Sequence, residues 1–118
     1  MNENYKNLIV WQKSIDLVIA VYELLKDFPE DERYGLISQT RRAAVSISAN
    51  IAEGRMRGGE VEFKRFLLIA FASGAEIETH LTIAKRLKYG NIEKYENVEN
   101  LLTEILKILR VLIKNTSK

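Results

Sequence analysis

His80 has Glu76 four residues ahead of it, a spacing that sets an imidazole and a carboxylate on one helix face, where they could share a metal ion or a proton. A di-metal carboxylate bundle needs Glu-x-x-His on two helices, however, and His80 is the only histidine in the chain. Ser46 and Ser48 are candidate hydroxyl nucleophiles, but no base lies near them in sequence, and a hydroxyl without a positioned base is a weak nucleophile. Arg57-Gly58-Gly59 has the glycines of a phosphate loop without its Gly-Lys-Ser/Thr ending or its preceding strand, so it reads as a turn between helices. The absence of cysteine removes thiolate catalysis, thiolate metal sites and disulfides together. This inventory points away from an enzyme, and no cofactor, metal or small-molecule substrate is expected.

Two other groupings could do binding chemistry. The first is basic: Arg41, Arg55, Arg57, Lys64, Arg65, Lys85, Arg86 and Lys88 could supply phosphate contacts. The formal net charge of +2 is unevenly spread, with four Lys/Arg against seven Asp/Glu in residues 1–34 and nine against five in residues 35–90. Basic side chains along solvated helix faces give the same counts. The second grouping is the polar series Gln39, Arg42, Ser46, Asn50 and Glu53, whose steps of three and four make one stripe beside the small or apolar Ala43, Ala44, Ile47 and Ile51. Equal rise in a hairpin turning near Gly58 places Arg42 by Ser73 and Glu76, and Glu53 by Glu62 and Arg65. The stripe is either a binding groove or a polar network fixing how two helices pair. The network is preferred, with Arg42 to Glu76 as its charge-assisted bond.

The elements that must carry these residues are all helical. Trp11, Ile15, Val18, Tyr22 and Leu25 step by four and three along a first helix and are expected to face the bundle. Val10, Leu17, Val21, Leu24 and Phe28 run beside them, an apolar surface wider than one monomeric seam requires. Phe28-Pro29 ends this helix. A second helix is expected from about Glu32 to Met56, closed by two glycines in positive φ, and a third from about Glu60 to Tyr89. The third carries Phe63, Phe66, Ala70, Ile77, Leu81 and Ala84, with Leu67, Leu68, Ile69 and Phe71 making it apolar nearly all round. Gly90-Asn91 reads as a C-cap and an N-cap, opening a fourth helix striped by Val98, Leu101, Ile105, Ile108 and Leu112. Connections this short force antiparallel neighbours, so the expected fold is an all-α, antiparallel up-and-down four-helix bundle. The aromatics Trp11, Tyr22, Phe63, Phe66 and Phe71 lie on apolar stripes and read as core or interface rather than base-stacking platforms.

A chain of 118 residues with 47% apolar content is expected to form one domain over residues 1–118. Residues 1–6 lack the layout of a signal peptide, and the apolar run Phe66 to Ala72 is far shorter than the ~20 residues of a membrane span. A cytoplasmic protein without a membrane role is expected.

The segments Leu8-Ile9-Val10-Trp11, Phe28-Pro29 before Tyr34-Gly35-Leu36, and Gln39-Thr40-Arg41-Arg42-Ala43-Ala44-Val45-Ser46-Ile47-Ser48-Ala49-Asn50-Ile51-Ala52-Glu53-Gly54 together closely resemble a bacterial family. It is the four-helix-bundle family named for proteins encoded within intervening sequences of large-subunit ribosomal RNA genes, itself similar to the accessory protein of diversity-generating retroelements. Phe63, Phe66-Leu67, Ala70, Ser73 and Glu76 fit as well, while Ala72, Gly74 and Met56 depart from its commoner residues. The resemblance implies a homopentameric bundle with RNA or DNA as the expected partner, and it brings no catalytic residue.

Two readings follow. One is a homo-oligomer that binds RNA or DNA through a basic surface multiplied by symmetry. The other is a protein-interaction scaffold whose wide apolar faces dock a partner protein, with no nucleic-acid role. Basic side chains clustered on one face favour the first; their dispersal among acids favours the second.

Overall fold

The computed structural model describes residues 4–116. Four helices, α1 (Ile9–Leu25), α2 (Ser38–Met56), α3 (Glu60–Arg86) and α4 (Ile92–Asn115), make an antiparallel up-and-down bundle in which each helix packs on its neighbours in sequence and α1 closes on α4. No strand occurs among the described residues. The rod measures 46 × 22 × 22 Å. The α2–α3 turn, the start of α1 and the end of α4 share one end, here called the hairpin end; the α1–α2 and α3–α4 connections share the other.

On α1 the series expected to face the bundle does so only in part: Leu25 is buried and Trp11 and Val18 are half-buried against the core, but Ile15 and Tyr22 are exposed, and the buried seam is Val10, Leu17, Val21, Leu24 and Phe28. The bundle takes the series that also includes the small Ser14 and Ala20, both buried, because small residues let neighbouring backbones come close. On α4 the seam is Tyr95, Val98, Leu102, Ile105 and Leu109, with Leu101, Ile108 and Leu112 at its edge. The expected α3 stripe is buried from Phe63 to Ala84, yet Leu68 and Ile69 face outward. α3 is apolar and long enough, by composition, to cross a membrane, with an 18-residue window of mean hydropathy 1.3 of which 39% is buried in the bundle.

Helix ends follow local chemistry. α2 starts at Ser38, six residues later than expected, because Gly35 (φ −109°, ψ −113°) breaks the helical path. The Glu32 carboxylate accepts from Leu36 N–H at 3.0 Å through Oε1 and from the Tyr89 hydroxyl at 3.2 Å through Oε2. One acid thereby caps a helical turn and ties the α1–α2 connection to the α3–α4 connection. Of the two turn glycines only Gly58 has positive φ (+87°); Gly59 is extended and opens α3 as its N-cap. α3 ends three residues early, at Arg86, where Lys88 (φ +63°) and Gly90 (φ +78°) turn the chain. Asn91 then caps α4, its side-chain oxygen accepting from Glu93 N–H at 2.9 Å.

Candidate nucleic-acid interface

The polar stripe of α2 resolves into two small clusters and an exposed margin. Ser46 and Ser73 hydroxyls lie 2.9 Å apart, and the Asn50 amide donates to both the Ser46 carbonyl and its hydroxyl, at 2.8 and 2.9 Å. About two turns along, Thr40 Oγ1 lies 3.1 Å from His80 Nδ1, and His80 Nε2 faces Glu76 Oε2 at 3.7 Å. The expected Arg42–Glu76 bond is not formed: exposed Arg42 donates to Gln39, and Glu76 turns to His80. Facing residues here have numbers summing to 119 and 120 rather than 115, which sets Arg42 level with residues 77 and 78; it misses Glu76 because it is exposed and bonds along its own helix to Gln39. Ser46 and Thr40 thus tie α2 to α3. Thr40, His80 and Glu76 resemble a nucleophile–base–acid set, but Thr40 is only 1% exposed and has no access for a substrate. Among the described residues no three His, Asp or Glu side chains converge to hold a metal ion.

The eight basic candidates do not gather on one surface. Arg55, Arg57, Lys64 and Arg65 stand at the hairpin end; Arg41, Lys85, Arg86 and Lys88 belong to the opposite third of the rod. At the hairpin end Arg57 meets Glu53 at 2.9 Å and Glu62 at 3.8 Å, and Arg65 meets Glu62 at 3.1 Å, as the expected proximity of Glu53, Glu62 and Arg65 required. The hydrogen bond from Arg65 holds the Glu62 carboxyl below the usual carboxylate range. Both guanidinium groups lie over the ring of Phe66, Arg57 at 5.1 Å and Arg65 at 4.5 Å, while Arg55 lies 5.5 Å over Phe63. These phenylalanines are core residues whose outer faces seat the arginines, which limits the chains to a few orientations.

Sequence reasoning missed the basic side chains that the ends of α1 and α4 bring to this place. Lys6, Lys107, Arg110 and Lys114 join the four above, so among the described residues the hairpin third carries eight Lys/Arg against Glu53, Glu60 and Glu62. The opposite third carries eight against nine: Glu23, Asp27, Glu30, Asp31, Glu32, Glu78, Glu93, Glu96 and Glu99 offset Lys26, Arg33, Arg41, Arg42, Lys85, Arg86, Lys88 and Lys94. There Lys85 pairs with Glu99 and Lys94 with Asp27. Linear counts put the excess in the middle of the chain, whereas antiparallel packing moves it to one end of the rod. That end can hold phosphates, and the other is electrically mixed.

Residues 6–111 match the model of a family described as 23S rRNA-intervening sequence protein. Similar in structure is a protein of unknown function from the S23 ribosomal protein family of Bacteroides thetaiotaomicron. It is 31% identical, with a TM-score of 0.80 over 91% of this chain and 100% of that one. Among curated proteins the sequence finds no match.

Proposed function

The chain belongs to the 23S rRNA-intervening sequence protein family, and on that premise we propose that it is a non-catalytic, self-associating bundle that grips nucleic-acid phosphates with its basic hairpin end. The excess of eight cations over three acids in that third of the rod carries this reading. Nothing there is built to read base edges, so affinity comes from counterion release and differs little between sequences. Self-association, as a pentamer by family resemblance, sets several such ends side by side and turns weak contacts into useful avidity. The outward apolar residues Ile15, Ile19 and Tyr22 of α1 and Leu68, Ile69 and Ile83 of α3 supply surface for it.

The test is a titration of labelled single-stranded RNA and DNA across a salt series. Log affinity should fall linearly with log salt, by about 0.7–0.9 per neutralised phosphate, and similarly for both polymers. Lys64, Lys107 and Lys114 have no ion pair among the described residues and lie clear of the core, so their joint reversal to glutamate should flatten the slope without changing the mass of the assembly. If wild-type protein retains neither polymer at low salt, the scaffold reading replaces this one, and it rests on the same exposed apolar faces.

A further inference from the structure

At the end away from the basic hairpin, Arg41 is out of balance with its surroundings. Its guanidinium lies 4.8 Å over the ring of Tyr22, and its Nε is fully covered and has no hydrogen-bond partner. Nearby cations are matched locally: Lys26 is bonded to Glu23 and Arg33 to Glu30. Among the described residues no carboxylate pairs with Arg41. It forms one wall of a cleft of about 330 Å³, floored by buried Leu25, Phe28 and Ile37 and rimmed by Lys26, Glu30 and Arg33. That volume is at the lower end of small-ligand sites, and the accessible part of the lining is mainly polar, which suits a charged group. A guanidinium presents a planar fork of donors suited to two oxygens of one anion, and Glu30, the only acid in the lining, is engaged by Arg33.

We propose that this cleft is a binding site for an oxyanion, carboxylate or phosphate, with Arg41 as its anchor and Lys26 and Arg33 on its rim. Such a group has two sources, a free small molecule or an acidic side chain of a second copy of the chain. The second is open because Tyr22, on which Arg41 rests, is exposed on the outward face of α1. The site stands at the other end of the rod from the hairpin, so it neither depends on nucleic-acid binding nor decides it.

The Arg41 Nε–H resonance reports on the site directly and is assigned by its disappearance in Arg41→Lys. In the intact protein it should shift saturably on addition of phenyl phosphate or benzoate and stay put with benzyl alcohol; this outcome supports a free small molecule. A second copy as the source predicts instead that the resonance shifts on dilution and that Arg41→Lys lowers the assembly mass in sedimentation. Arg41→Lys keeps the charge beside Tyr22, so a fall of assembly mass in it traces to the fork and not to unfolding, which far-UV circular dichroism checks. A resonance indifferent to all three probes and to dilution, with assembly unchanged in Arg41→Lys, overturns the proposal.

Discussion

A methyl group added at Gly54 would stand 2.6 Å from the Cβ of Phe66, a close approach that only backbone movement could relieve. Gly54→Ala should therefore lose on the order of 2 kcal/mol in urea melts, overpacking outweighing the gain of about 1 kcal/mol in helix propensity. At Gly74 the obstacle is the terminal Cδ2 of Leu106 at 2.5 Å, which can rotate away, so Gly74→Ala should cost less than Gly54→Ala. A reversed order would mean that α2 and α3 are not held as tightly as α3 and α4. Tyr95 offers a residue-scale pH probe. Burial, with Glu99 adding to it, pushes its phenol up to about 12, while its hydroxyl donates to the Tyr89 carbonyl at 2.8 Å. The folded state thus holds this proton more tightly than the unfolded state, whose phenol titrates near 10. The contribution is complete below pH ~10 and lost as pH rises toward about 12. Denaturant melts between pH 9 and 11 should show the loss, and Tyr95→Phe should remove most of it.

Between elements, the polar contacts along the α2–α3 seam are the hydrogen bonds of Ser46 with Ser73 and of Thr40 with His80, and the ion pair of Arg57 with Glu62 stands at the turn. Ser46→Ala should cost about 1–2 kcal/mol by leaving Ser73 and Asn50 short of a partner, and Ser46→Ala with Ser73→Ala should cost less than the sum of the two. Arg42→Ala should fall within about 0.5 kcal/mol of wild type, as exposed positions do. The four helices were legible because each carries a 3.6-residue apolar period and a cap or turn signal, Asn91 and Gly58 most plainly. Periodicity alone did not tell which of the two α1 series faces inward, since both have the same spacing; the small Ser14 and Ala20 are the signal that decides it. The axial offset of α2 against α3 was equally hidden, because turn position fixes topology but not stagger. Hence Ser46 was found and its bond to Ser73 was not, while Arg42 misses Glu76 because it is exposed and bonds to Gln39 on its own helix. Thr40 escaped attention because nothing local distinguishes it, its role being set by His80 forty residues away.

For the molecule as a whole, packing turns a nearly balanced sequence into a rod with one strongly basic end. Self-association belongs to this scale, and its marker is the outward face of α1, where Ile15 is 37% and Ile19 60% exposed. Ile15→Asp with Ile19→Lys should leave the melt largely unchanged while light scattering falls from an oligomer to a monomer; a wild-type monomer at micromolar concentration would remove the assembly reading altogether. α1 begins and α4 ends at the hairpin end, so any polypeptide joined ahead of Tyr5 or after Thr116 departs from the basic rim itself. A purification tag or reporter domain fused at either position would stand over this basic surface, and an acidic one would neutralise it. Loss of nucleic-acid retention in such a fusion would measure the appendage. The exposed α3–α4 connection around Lys88, at the opposite end, is the place to attach a label that leaves the rim open.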